Sequence, residues 1–528
     1  MVKCIKKQNT LHPIFVILVL LLACYGCSQQ GTTSKPRPNI LFIPVDDLRP
    51  ELGCYGNKDI KTPNIDRLAG QGVTFTRTYC QQAVCSASRA SLLTGLRPDS
   101  IQVWDLQSEF RAAVPDAVTL PQFFKQSGYT TIGLGKTFHN IFPDTISWTE
   151  KPHIEGFPFD PDAFYVNEEN IKIQQEKIEK LKAAGKSTID QLGHWYVKAK
   201  ATEIGTKGDD AYFDGAQTTL AIERMQELAK SDKPFFLSVG YYRPHLPFNA
   251  PKKYWDMYNR DSIPLAENQF TPDGSPEYAN HGYQELKGYI DCHELPLPSE
   301  KPWQTERQRE LKHGYYASVS YIDAQIGRLL DELDRLGLTE NTIIVLWGDH
   351  GWKLGEHNGW CKMTNYEIDT HVPLIISGTG VKAKGQQSNA LTEFVDIYPT
   401  LIEMTGFDIP SHLHGSSTVP LLENPEKKWK SAAFSQFLLG RFGPAETRKH
   451  ERMGYAIRTD RYRYVEWYGW NKKEKKKGEL LNRELFDHQT DPKENMNLAN
   501  VVEYKKIVQA LSQQLNLGWR NALPKSNK

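Results

Sequence analysis

NILFIPVDD, residues 39–47, sets the fold: an almost wholly apolar run of strand length that ends on two adjacent carboxylates. A run that is apolar throughout, rather than alternating, belongs to a strand covered on both faces, as in a parallel sheet flanked by helices. Core strands are therefore expected at Asn39–Val45 and, by the same reading, at Thr130–Leu134, Phe235–Tyr241, Thr342–Trp347 and Pro373–Ser377. Between them lie stretches predicted as helices, at Ser88–Thr94, Val118–Ser127, Ala216–Ala229, Glu306–Leu336 and Asp396–Met404. In the longest, Tyr315, Val319, Ile322, Ile326 and Leu329/Leu330 form an apolar stripe at helical spacing. This alternation predicts an α/β core with a central, mostly parallel sheet.

Further out, residues 168–203 carry a charged helical pattern and are expected as a surface insertion. From about Ser431 the runs become shorter: Phe434–Phe437, Gly454–Arg458, Tyr462–Trp467 and Glu484–Asp487, then a helical stretch at Lys505–Leu517. They predict a small C-terminal antiparallel-sheet subdomain. KKEKKKGE, residues 472–479, reads as a solvated hairpin tip, with a polyanion contact as the alternative. No internal repeat is apparent.

At the N-terminus, Lys3, Lys6 and Lys7 precede an apolar segment from Ile14 to Ala23, the pattern of an export signal. Such a segment spans about 15 Å as a helix, half a bilayer core. Leu21-Leu22-Ala23-Cys24 resembles a bacterial lipobox, which makes Cys24 the lipidated residue; Cys27 is a poorer candidate, and an ordinary secretory signal is the alternative. The expected organisation is a signal peptide over 1–23, a polar tether over 24–37, a catalytic domain over 38–430 and a subdomain over 431–528. The protein is thus expected in the bacterial cell envelope, exported and anchored to the membrane through lipid alone, at its periplasmic face or the surface. In the 528-residue chain, 64 Lys and Arg nearly cancel 63 Asp and Glu, so no global field points to nucleic acid. The eight cysteines are scattered and do not form a disulfide framework.

Chemistry-bearing residues collect where predicted strands end: Asp46-Asp47, Lys136 to His139, Arg243 to His245, and Asp349-His350. In open α/β sheets ligands bind beyond the carboxyl ends of the strands, so these four ends predict one shared pocket. Asp46, Asp47 and Asp349 offer hard oxygens that suit a divalent cation such as calcium, although an adjacent Asp pair also serves as a helix cap or turn. Lys136, His139, His245 and Arg89 suit binding of a tetrahedral oxyanion and proton transfer to its leaving group. Together they point to phosphoryl or sulfuryl transfer.

CSASRASLLTG, residues 85–95, enters a predicted helix with Cys85 at its N-terminus, where the helix dipole favours negative charge; a buried structural cysteine is the competing reading. Here the chain resembles the formylglycine-dependent (type I) sulfatases, whose signature is Cys-x-Pro/Ala-Ser-Arg followed by a short helix ending in Thr-Gly. Cys85-Ser86-Ala87-Ser88-Arg89 with Thr94-Gly95 matches it. So do the segments at 39–56, 62–95, 133–139 (GLGKTFH), 240–248 (GYYRPHLPF) and 348–367, covering nearly the whole mature chain. Within that family the resemblance is to the iduronate-2-sulfatase branch, through residues 315–338, residues 453–470 and the pair Asp349-His350.

The resemblance implies an alkaline-phosphatase-like core, a calcium ion and conversion of Cys85 to formylglycine (3-oxoalanine) by a sulfatase-maturating enzyme. It assigns Asp46, Asp47, Asp349 and His350, with residue 85, to the metal. Lys136, Lys362 and His245 would hold the sulfate, with His245 donating a proton to the departing alcohol. One hydroxyl of the hydrated aldehyde would attack sulfur, and His139 would deprotonate the other to release sulfate; Arg89 would orient the hydrate. The implied substrate is a sulfated oligosaccharide, in particular a 2-O-sulfated uronic acid of a glycosaminoglycan. Another sulfated polysaccharide of galactan or fucan type, a phosphodiester or phosphonate, or glycan binding without catalysis are the alternatives. Ala87 stands where lysosomal relatives have Pro, which leaves the identity of the maturing enzyme open. The 168–203 insertion and the loop over 406–430 depart from that branch and leave the sugar open. Trp352, Glu356 and His357 are expected to border the site without assigned roles.

Overall fold

The computed structural model describes residue 1 and residues 37–139, 142–154, 165–185, 198–280, 285–440, 451–471 and 473–524. The leader, with Cys24 and Cys27, lies outside the described residues. Residues 38–528 form one compact unit.

Its centre is a mixed sheet. β1 (Asn39–Val45) is the middle strand, wholly buried. It pairs in parallel with β5 (Phe235–Gly240) on one side and β7 (Thr342–Gly348) on the other, and β3 (Thr130–Gly135) continues in parallel beyond β5. The five strands predicted from apolar runs are present; the last, β10 (His371–Gly378), lies antiparallel between β7 and β2 (Gly72–Tyr79). β2 was not among the predicted strands. Thr74, Thr76, Arg77 and Thr78 interrupt its apolar pattern, and the strand forms because β-branched residues fit a pleated surface between partners. The long helix Thr305–Arg335 packs its predicted stripe into the same core.

The 168–203 segment departs from expectation. Its helix, Glu168–Ala183, is present and mostly charged, but residues 198–203 turn inward, and β4 (Thr202–Gly205) pairs in parallel with β6 (Phe248–Pro251). Glu203 is buried because four donors meet it: the amides of Val166 (2.9 Å) and Asn167 (3.2 Å), Asn170 Nδ2 (2.8 Å) and Tyr212 Oη (2.7 Å). The insertion is thus stapled to the core at its C-terminal end.

The C-terminal strands β13 (Ala433–Leu439), β14 (Arg452–Arg458), β15 (Tyr462–Asn471) and β16 (Lys476–Asp487) form the expected antiparallel sheet in chain order. One face sends Phe437, Ala456, Val465, Trp467 and Phe486 into the main core. The other sends Ile457, Tyr464 and Leu485 against Leu511 of the helix Lys505–Leu517.

Candidate active site

The register of β1 and β7 builds the site's floor. Val45 lies opposite Gly348, so Asp46-Asp47 and Asp349-His350 emerge side by side at the ends of neighbouring parallel strands. The amide of Asp47 donates to Asp349 Oδ1 at 3.0 Å. Asp47 holds a left-handed backbone, φ 58°, which is unfavourable for a residue with a side chain and recurs at functional sites.

Across from these acids the helix Cys85–Thr94 begins, extended at Val84 and stopped by Gly95 at φ 68°, and all ten of its residues are buried. It aims Cys85 Sγ at His350 Nε2, 3.1 Å away. Arg89, one turn on and fully buried, sends Nε to Asp349 Oδ2 (2.8 Å) and Nη2 to Asp46 Oδ1 (3.3 Å) and also bonds the carbonyl of Thr137 (3.2 Å). Lys136, leaving β3, pairs with Asp46 Oδ2. Lys362 follows the two-stranded hairpin of β8 (Lys353–Leu354) and β9 (Trp360–Cys361) and pairs with both oxygens of Asp47 at 2.9 and 3.1 Å, over the ring of Trp352. Its neighbours Cys361 and Met363 are also left-handed, at φ 71° and 80°.

The histidines take distinct states. His350 Nδ1 donates to the carbonyl of Gly351 at 3.0 Å, which leaves the Nε2 lone pair 3.4 Å from Asp47 Oδ1 and 3.6 Å from Asp349 Oδ1, where a cation would sit between them. His139 Nδ1 is buried without a partner among the described residues, and burial, then Lys136, pushes its pKa well down, so the ring is neutral. His245 Nδ1 donates to the carbonyl of Leu246 (2.7 Å), while Nε2 lies 3.1 Å from Glu285 Oε1; burial lowers its pKa against that carboxylate.

Glu285 was not anticipated. It lies 3.2 Å from Lys362 as well as beside His245, and Lys362, the bond to His245 and Lys198 together hold its carboxyl well below the usual range despite burial. A lone glutamate in ELKGYI carries no motif, and only the fold gives it neighbours. A second reading needs correction: Cys85 is not poised as a thiolate. Burial and Asp46 push the thiol well up, outweighing Lys136, Lys362 and the helix N-terminus. Glu356 is drawn away from the site to Arg49 (2.8 Å), and His357 bonds the carbonyl of Lys493 (2.8 Å).

The donor set fits a divalent cation. One ligand atom each from Asp46, Cys85, Asp349 and His350 lie within 4.8 Å of one another, and Asp47 groups likewise with Asp46 and His245. Among the described residues, Asp46, Asp47, Asp349 and Glu285 face Arg89, Lys136 and Lys362, with Lys198, which burial lowers to about 8, beside Glu285. Burial pushes Asp47 up to about 7 against Lys362, and Asp46 adds to the rise. Asp46 is held well below the usual carboxylate range because Lys136, His245 and Arg89 outweigh its burial.

A sulfatase family profile matches residues 38–407, and one described as N-sulphoglucosamine sulphohydrolase, C-terminal, matches residues 355–520. The chain is 33% identical to the human (Homo sapiens) iduronate 2-sulfatase over 92% of its own length and 95% of that protein's. The chain belongs to the sulfatase family. The sulfatase also superposes on a solved protein in complex with its substrate D-glucosamine-2-N,6-O-disulfate (TM-score 0.68, 23% identity, covering 93% of this chain and 100% of that one). It superposes equally on the phosphonate monoester hydrolase of Agrobacterium radiobacter (TM-score 0.67, 25% identity, covering 91% and 95%). The expected alkaline-phosphatase-like α/β core is borne out, and the enzyme is a sulfuric ester hydrolase.

Proposed function

We propose that this sulfatase removes the 2-O-sulfate of a uronic acid from a sulfated glycan, with Cys85 converted to formylglycine and calcium held by Asp46, Asp47, Asp349, His350 and residue 85. The observation that carries this reading is the meeting of a carboxylate–histidine donor set with Cys85 at a buried helix start, between two lysines. A protonated, buried thiol is a weak nucleophile, which supports conversion of Cys85 to another group before catalysis. When present, calcium and the aldehyde hydrate supply a Lewis acid and a hydroxyl nucleophile.

The chain's own groups do the rest. Lys136 and Lys362 offset charge on the sulfate oxygens, in a buried setting where such contacts are strong. Arg89 is locked to both strand ends and keeps the nucleophile's surroundings in register. His245 hands a proton to the departing alcohol, and neutral His139 takes one. The likeness to iduronate 2-sulfatase supports the 2-O-uronate assignment. Export as a lipoprotein anchored at Cys24, and maturation by a sulfatase-maturating enzyme, belong to the same proposal.

The test is sulfate release from defined sulfated disaccharides by protein co-expressed with a maturase, with Cys85→Ala as control. Release confined to 2-O-sulfated uronates supports the assignment. Release from galactan or fucan units alone would keep the chemistry and discard the sugar. Turnover of phosphonate esters in place of sulfates would overturn it.

A further inference from the structure

Lys475, Lys476 and Lys477 play no part in the active site, yet they border a cavity of about 410 Å³ at one face of the small sheet. That face is opposite the one carrying Trp467 and Phe486 into the main core, and the segment Arg97–Ser100 with Leu515, Asn516 and Trp519 completes the lining. Two rings furnish it. Tyr455 donates its hydroxyl to Asp99 Oδ2 at 2.8 Å, and Tyr468 donates to the buried Glu466; the rings stand 6.2 Å apart at 67°. With its hydroxyl tied back, half-buried Tyr455 offers ring surface in a fixed orientation, while Tyr468, 8% exposed, backs it and seats Lys477. Asp99 and Glu466 are meanwhile occupied: Asp99 also accepts from Trp104 and Gln436, and Glu466 from Tyr464 and Ser512.

Of the cations lining it, Arg97 pairs with Glu393 at 2.8 Å and Lys476 with Glu474 at 2.5 Å, whereas Lys475 and Lys477 are not neutralised in this way. Lys477 Nζ sits 4.5 Å over the ring of Tyr468 and bonds the Asn516 amide at 3.2 Å; Lys475 bonds the Gln102 amide at 2.7 Å. Neither has a carboxylate partner among the described residues. Lys475 moreover occupies a left-handed position, φ 52°, where a hairpin ordinarily places Gly or Asn. A fixed aromatic face beside uncompensated ammonium groups matches a ligand that is both sugar and anion: ring C–H faces against Tyr455, sulfate oxygens on the lysines.

We infer that this cavity is a second binding site, for sulfated oligosaccharide, on the opposite face of the small sheet from the main core. It rests on the sulfated-glycan reading of the active site for its ligand class. It would hold a polymer by one segment while another is hydrolysed, raising the local concentration of ends at Cys85.

The test is titration calorimetry of the full chain with a heparin-derived hexasaccharide and its desulfated counterpart, on wild type, Lys475→Ala/Lys477→Ala, and Lys505→Ala/Lys506→Ala. The last pair removes equal charge about 15 Å along the neighbouring helix. Binding to the sulfated probe should weaken by about fivefold or more at low salt in the first variant, exposed pairs being modest and screened. The control pair should change it little, and the desulfated probe should bind feebly throughout. Equal weakening in both variants, or no change in the first, overturns the site. Sulfate release is read in parallel: lysine-dependent binding without hydrolysis of the heparin-derived probe would sink the 2-O-uronate reading and leave this one standing.

Discussion

Among the buried ionic clusters of the described residues, two are built on opposite plans. Where the small sheet meets the core, Glu367 and Glu494 face Arg458, Arg463 and His488: Arg458 Nε to Glu367 at 3.0 Å, Arg463 Nε to Glu494 at 2.7 Å, and His488 Nε2 to Glu494 at 2.9 Å. Tyr79 and the amide of residue 367 take the remaining oxygens, and both carboxyls sit low as their cations outweigh burial. Planar guanidinium forks close that cluster on itself. At the strand ends the cations are chiefly lysines, point charges on long stems, and the carboxyls split, Asp46 well down and Asp47 up to about 7. Glu367, His488 and Glu494 also lie close enough to grip a metal. Proximity of donors is therefore not the criterion; charge left open is.

Four perturbations sharpen the contrast, from largest effect to smallest. Cys85→Ala should cut sulfate release by about 10⁴-fold or more while lowering the melting temperature only slightly, since a single buried sulfur atom is lost from the core. Arg463→Ala should do the reverse. Stranding Glu367 and Glu494 should cost about 3–5 kcal/mol in urea unfolding, with kcat per folded molecule unaltered. Glu285→Gln should lower kcat by about tenfold or more, since it removes the charge beside His245 and Lys362, and should shift the acidic limb of the pH–rate profile. An unchanged profile would demote Glu285 to packing.

The smallest effect concerns Glu484, near the closed cluster, whose carboxyl burial pushes up to about 7 despite bonds from Trp467 (2.7 Å) and Tyr366 (3.2 Å). Its folded pKa exceeds the unfolded one. Its contribution is thus fully present below about pH 4.5 and is lost as pH rises through about 7. Glu484→Gln should accordingly grow more stable relative to wild type between pH 5 and 8, by at most about 3 kcal/mol. A pH-independent difference would contradict the shift.

The strand ends were legible because polar residues there interrupt apolar runs abruptly, a break that needs no structure to see. The same rule passed over β2, whose threonines blur its pattern. Glu285 was invisible for another reason: its meaning comes from a hairpin some seventy residues later in the chain, at Lys362. The thiol of Cys85 was misjudged because a helix dipole is a local argument, whereas full burial and Asp46, delivered by β1, are not.

The central position of β1 also has a consequence in time. Cys85 meets His350 across 265 residues of chain, and β1 waits for β5 and β7 before either edge is paired. At about 5–20 residues per second, roughly 15–50 s separate the synthesis of Cys85 from that of its partner. Any enzyme that must reach the Cys85 side chain works within that interval, before the helix that carries it is closed in.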